Sequence, residues 1–188
     1  MRALLIAFTI AIVAATTLTA STRRHLDALF GVGLSFPAGD LNEGWAMGFH
    51  GSAGFSIPVS PVFDLIPRLE YHQLPFDDHG FISVNGGSFS ALMFGLDCQL
   101  EPRSRHARFA PVFLVGAGVA HVSFTDLRIS GYGTFYGSNE TKPYVSLGAG
   151  VEFLSSEDVC FTLMARYISY KTTGTSITIE PFTTIFRF

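Results

Sequence analysis

The sequence predicts an all-β chain folded as an eight-stranded antiparallel up-and-down transmembrane β-barrel. Three observations predict it. The chain opens with an apolar segment patterned like an export signal. The remainder alternates with period two between clusters of Gly, Pro, Asn, Asp and Ser. The composition is 48% hydrophobic but only 14% charged over 188 residues, where soluble domains carry about 25% charged residues. Nineteen phenylalanines are more than an ordinary core of this size uses. A net charge of −3 provides no basic field for a nucleic acid. Two cysteines are too few for a zinc cage or a disulfide scaffold.

In chain order, Met1-Arg2 gives a positive start, and Ala3 to Ala15 is apolar apart from Thr9. Thr16 to Ala20 supplies the small-residue exit. This is a secretory signal, so residues 1–20 read as a signal peptide and 21–188 as a barrel domain. Cleavage is expected after Ala20, with Ala15 as the alternative. The apolar run is too short for a membrane anchor, since 13 helical residues cover only about 20 Å of a core about 30 Å thick. Past residue 21 the longest apolar run, Phe109 to Ala120, contains Pro111, Gly116 and Gly118 and is well short of the 18 or so residues that a spanning helix needs. The mature chain either is soluble in an exported compartment or crosses a membrane with strands.

Eight alternating segments follow, at about 27–36, 46–57, 62–74, 88–100, 109–124, 143–154, 159–171 and 177–188. Their connections alternate as well. Pro58 to Pro61 and Ser155 to Asp158 are tight, whereas 37–45, 75–87 and 125–142 are longer and polar. Short turns at the end that holds the termini, with longer loops at the other, are the layout of an outer-membrane barrel. The faces point the same way. Phe30, Val32 and Leu34 oppose Leu29, Gly31, Gly33 and Ser35; Leu69 and Tyr71 oppose Arg68, Glu70 and His72; Phe94 and Leu96 oppose Asp97; Leu163 and Tyr167 oppose Arg166. An inner set rich in Gly, Ser and charge suits the narrow interior of a small barrel with its apolar face toward lipid. Closure follows, because an open sheet edge in lipid leaves backbone groups unpaired. The fifth segment is apolar on both faces, and its register stays open.

The chain ends Phe182-Thr183-Thr184-Ile185-Phe186-Arg187-Phe188. A terminal Phe188 with Phe186 and Phe182 on its face resembles the signal read by the barrel-assembly machinery. With the export signal, the eight segments and the Gly-Ala-Gly runs at 116–118 and 148–150, the mature chain resembles the small bacterial outer-membrane β-barrel domain family, the porin-like OmpA, OmpX and OmpW barrels. The resemblance implies residence in the bacterial outer membrane among lipids and lipopolysaccharide, with the assembly machinery as a partner. Its motifs are stylistic rather than catalytic.

Three constellations are candidates for chemistry. Asp64, Arg68, Glu70, His72, Asp97, Glu152, Arg166 and Arg187 form a polar lumen network. Buried charges must pair, so the network reads as a salt-bridged plug, with a gated ion or solute path as the alternative. His121 and Ser123 are similar to the His-x-Ser of lipid A deacylases, with Glu140 as the third member of an acyl-transfer triad, although Phe124 stands where that family has Asn. Trp45, Tyr71, Tyr167 and Tyr170 are expected in the aromatic girdles. Tyr132, Phe135 and Tyr136 in the longest loop either bind a partner or pack over the barrel mouth. Cys98, facing out, and Cys160, facing in, are expected as separate thiols. No metal site and no cofactor are expected. The expectation for function is a non-enzymatic barrel with a structural or surface-interaction role; the alternatives are a narrow porin-like channel and a lipid A-type esterase.

Overall fold

The computed structural model describes residues 26–38, 44–77, 84–102, 109–130, 133–154, 159–170 and 175–187, the last strand through its backbone pairing. The signal segment 1–20 lies outside the described residues. So do Tyr132, Phe188 and the side chains of Phe182, Phe186 and Arg187. Each of the eight segments forms one barrel strand: β1 (Asp27–Ala38), β2 (Gly48–Ser60), β3 (Phe63–Pro75), β5 (Ser88–Leu100), β6 (Phe109–Phe124), β9 (Asn139–Leu154), β10 (Val159–Tyr170) and β11 (Thr175–Arg187). They follow one another antiparallel round a closed barrel, with β1 hydrogen-bonded to both β2 and β11. Among the described residues no helix is long and apolar enough to cross a membrane. Strands of 12 to 16 residues, at about 3.3 Å per residue and tilted by about 45°, rise about 28 Å or more, enough for an apolar band of about 25 Å.

The pairing also defines the stagger of the barrel. From Asn139 the register runs through Ser123, Ser90, Gln73, Phe49, Leu34, Ile179 and Ala165, and returns to β9 at Ala149, ten residues from its start. Strand number and stagger together set tilt and radius, and at eight strands the interior holds side chains rather than an open bore.

Phe30, Val32, Phe49, Phe55, Leu69, Leu92, Phe94, Leu96, Phe113, Val115, Leu147 and Leu163 stand exposed around the outside, while Arg68, Glu70, His72, Asp97, Glu152 and Arg166 are buried within. In water that arrangement is inverted; in hydrocarbon it is the favourable one. Phe94, midway along β5, is a direct test of it. Phe94→Arg should destabilise the barrel in phospholipid vesicles by about 2–4 kcal/mol, read by urea titration. A cost near zero would mean that the face does not meet lipid.

Three features lie outside the alternation pattern. The sixth segment extends back to Asn139, because the ladder to β6 continues through Thr141↔His121 and Asn139↔Ser123 although its side chains are polar. Three short strands, β4 (Val84–Gly86), β7 (Leu127–Ile129) and β8 (Gly133–Phe135), form a small sheet that prolongs β5, β6 and β9 beyond the rim. Three residues are too few to show a period. The bend into β5 sits at Gly86 and Gly87, with φ of +82° and +79°, a conformation that glycine adopts without strain. In β11 the registers with β1 and β10 both slip by one residue around Pro181, pairing Phe182 with Val32 but Ile179 with Leu34. Proline has no N–H for a ladder and is at home in a bulge. The slip keeps positions 177 and 179 in register with Phe36 and Leu34 of β1, and 182 and 184 with Val32 and Phe30.

The register of β6 is now defined. Phe109, Phe113, Val115 and Val119 point out; Ala110, Val112, Leu114, Ala120 and Val122 point in. Besides glycine, serine and charge, the interior holds apolar side chains toward both ends. One expectation is corrected. Trp45 and Tyr170 belong to this filling and not to the girdles. Tyr170 is buried and donates to Met93 Sδ at 3.3 Å. Tyr71 and Tyr167 do face outward. No disulfide joins Cys98 and Cys160.

Candidate functional site

Alternation along β3 aims Arg68, Glu70 and His72 into the lumen one after another; β5, its neighbour, contributes Asp97, and β10, on the opposite side of the barrel, contributes Arg166. Arg166, fully buried, donates from Nη1 to Glu70 Oε1 at 2.5 Å and from Nη2 to Ser146 Oγ at 3.2 Å, and its Nη2 lies 3.5 Å from Asp97 Oδ2. Arg68 Nε stands 3.0 Å from the same Asp97 oxygen. Two guanidinium groups therefore meet two carboxylates across the lumen, a balance that a buried network requires. Beside it Ser35 Oγ lies 2.9 Å from His72 Nδ1 and 3.3 Å from His50 Nδ1, and the two imidazoles stack with centroids 5.1 Å apart. Asp64 is apart from the cluster, accepting from Ser56 at 2.7 Å near the β2–β3 turn. Glu152 is buried lower on β9. Of the eight predicted lumen residues, four thus converge and His72 adjoins them through its neighbours on β3.

The predicted lumen network omits Ser146, Tyr144, His50 and Ser35, although alternation places Ser35 on the inward face. A signal existed for the first two. A Cβ at Gly116 would collide with the Asp97 carboxylate and come 2.7 Å from Ser146 Oγ, and Cβ atoms at Gly95 and Gly118 would strike Tyr144. Glycine inside a strand marks such close approaches, but the partner is named only by the cross-strand register.

Above the charges lies an apolar cluster of Leu74, Phe89, Ala91, Met93, Ala120, Val122, Tyr144, Ile168 and Tyr170. Trp45 closes it, packing on Phe76, Phe89 and Phe124 with ring centroids 5.7 to 5.9 Å apart. Below the charges Leu29, Ile66 and Cys160 form a second apolar cluster, and Val112, Leu114 and Met164 a third. Phe135 and Tyr136 take no part in closing the mouth and stand exposed on the outer sheet.

The acyl-transfer candidates are not assembled. His121 and Ser123 share the outward face of β6, where His121 Nδ1 lies 3.2 Å from Thr141 Oγ1 and Ser123 Oγ donates to Asn139 Oδ1 at 2.6 Å. Glu140 pairs in register with the inward Val122, which puts it on the other face of the sheet, in an ion pair with Lys142. A carboxylate there has the barrel wall between itself and the imidazole that it would orient. Among the described residues no group of His, Cys, Asp and Glu is placed to hold a metal ion.

No family model matches the chain, and no curated protein is similar to it. Solved structures are similar. Neisserial surface protein A superposes with a TM-score of 0.63 at 11% identity, over 87% of this chain and 97% of that one. Ail, the attachment invasion locus protein of Yersinia pestis, gives 0.60 at 13% identity, over 89% and 100%. The N-terminal β-barrel domain of Pseudomonas aeruginosa OprF gives 0.51 at 15%, over 88% and 98%. The chain has the outer-membrane β-barrel fold. On this fold the exposed apolar belt is the surface that meets lipid. Ail has also been solved in complex with the heparin analogue sucrose octasulfate, and that structure matches with a TM-score of 0.54.

Proposed function

We propose that this barrel is a non-enzymatic protein of the outer membrane with a structural or surface-interaction role, its lumen a solid strut and its outer loops the working surface. One observation carries the reading: the Arg68–Asp97–Arg166–Glu70 cluster crosses the lumen between apolar clusters above and below it. Hydrated ions would have to part charge-assisted bonds between buried side chains, where such bonds are strong. The names of two structural neighbours, a surface protein and an attachment invasion locus protein, agree with a role at the surface. Among the described residues, a polysulfated ligand such as the one bound by Ail finds few cations. The described outer-loop and rim segments carry Arg128 and Lys142 as their cations, and Lys142 is engaged by Glu140.

Planar-bilayer recording tests the reading. The mature chain, folded and showing a heat-dependent shift on a gel, should give no unitary conductance steps in potassium chloride. Steady steps would replace it with the narrow channel.

A further inference from the structure

The lipid-facing surface changes character toward the loops on β3, β5, β6 and β9, and also on β10, where Ser169 follows Tyr167, but not on β1 and β2. On four adjacent strands the last outward apolar residue is followed, toward the loops, by a hydrogen-bonding one: Tyr71 by Gln73 on β3, Leu92 by Ser90 on β5, Val119 by His121 and then Ser123 on β6, and Pro143 by Thr141 and then Asn139 on β9. Cross-strand pairing makes them contiguous, since Gln73 faces Ser90, Ser90 faces Ser123, Ser123 faces Asn139, and His121 faces Thr141. On β1 and β2 the outward positions stay apolar to the strand ends, through Leu34 and Phe36 and through Phe49 and Met47.

We propose that this polar apron docks the sugar headgroups of outer-leaflet glycolipid. The inference rests on the membrane reading above and adds a ligand to it. Three observations choose the occupant. The apron continues the lipid-contacting belt without a break, so what reaches it is the headgroup of a lipid whose chains lie on that belt. It contains no lysine or arginine, the side chains a phosphate group calls for, and Lys142 next to it belongs to the opposite face, paired with Glu140. Its groups are the neutral donors and acceptors that match sugar hydroxyls. The Ser123–Asn139 bond uses the amide oxygen of Asn139 and so leaves its N–H groups as donors, and the His121–Thr141 contact at Nδ1 leaves Nε2.

The probe is an equimolar mixture of digalactosyl diacylglycerol and phosphatidylglycerol, offered to the detergent-folded barrel and counted by native mass spectrometry. The wild type should retain the galactolipid about tenfold over the phospholipid, and S123A/N139A should bring the two near parity, the effect of about two net hydrogen bonds. Both variant residues lie outside the lumen, so the heat-shifted band should persist. Should that pair fail to fold, Q73A/S90A on the neighbouring strands should show the same loss of preference. Equal retention by the folded wild type, an unchanged preference in both variants, or a preference for phosphatidylglycerol would each overturn the proposal while leaving the barrel intact. A wild type without a heat shift would instead strike at the membrane reading itself.

Discussion

Replacing Arg166 by Met should cost the barrel about 3–5 kcal/mol of stability, the range for removing one member of a buried ion pair. Arg166 touches Glu70, Asp97 and Ser146 at once, and all three are almost completely buried. Without it two carboxylates face the single guanidinium of Arg68 in surroundings that do not solvate the excess charge. Urea titration in vesicles, followed by the fluorescence of Trp45, the sole tryptophan, is the measurement. Adding Glu70→Gln removes one of the stranded charges, so R166M/E70Q should recover part of the loss and show a coupling of about 0.5–3 kcal/mol between the two sites. A loss below about 1 kcal/mol for Arg166→Met, the level of a solvent-screened pair, would mean that water reaches the cluster. The case for a sealed lumen would then weaken together with the expectation of no conductance.

Gly116→Val should do at least as much damage by a steric route. The new Cβ falls on the Asp97 carboxylate and close to Ser146 Oγ, so either β5 and β6 part or Asp97 leaves both arginines. Overpacking costs about 1–3 kcal/mol, and disrupting the buried pairs adds a similar or larger amount. The folded, heat-shifted band should be greatly reduced or lost. Gly51→Ala is the control. Gly51 lies on the outward face, where the nearest atom to its Cβ is Gly31 O at 3.9 Å. That variant should be neutral or slightly stabilising, because alanine loses less conformational freedom than glycine on folding. Equal behaviour of the two variants would show that the inward glycine is not there to make room.

These two residues differ in how far their roles were legible in the sequence. Arg166 sits among Ala165, Tyr167 and the rest of a clean alternation, so its inward direction and its need for a counter-charge followed from local pattern alone. Gly116 was visible as a glycine in a strand, but β6 is apolar on both faces and alternation there does not choose between in and out. The choice is made by β5 and β9, where Asp97 and Ser146 require empty space opposite them. The same divide separates Glu140 from His121 and Ser123. Their spacing along the chain was compatible with a triad, and only the pairing of Glu140 with Val122 puts the wall between them.

By itself the sequence determined the number of barrel strands, their limits to within a few residues, which face of most of them meets lipid, and the presence of charge inside. All of these follow from a two-residue period and from the cost of burying or exposing each side chain, and both are local quantities. The tertiary structure decided the ten-residue stagger, the slip at Pro181, the aromatic seal around Trp45, and which four of eight polar residues converge. Those depend on pairings between residues as far apart as Glu70 and Arg166, 96 positions along the chain. A period says only which way a side chain points; the register between strands determines what it meets.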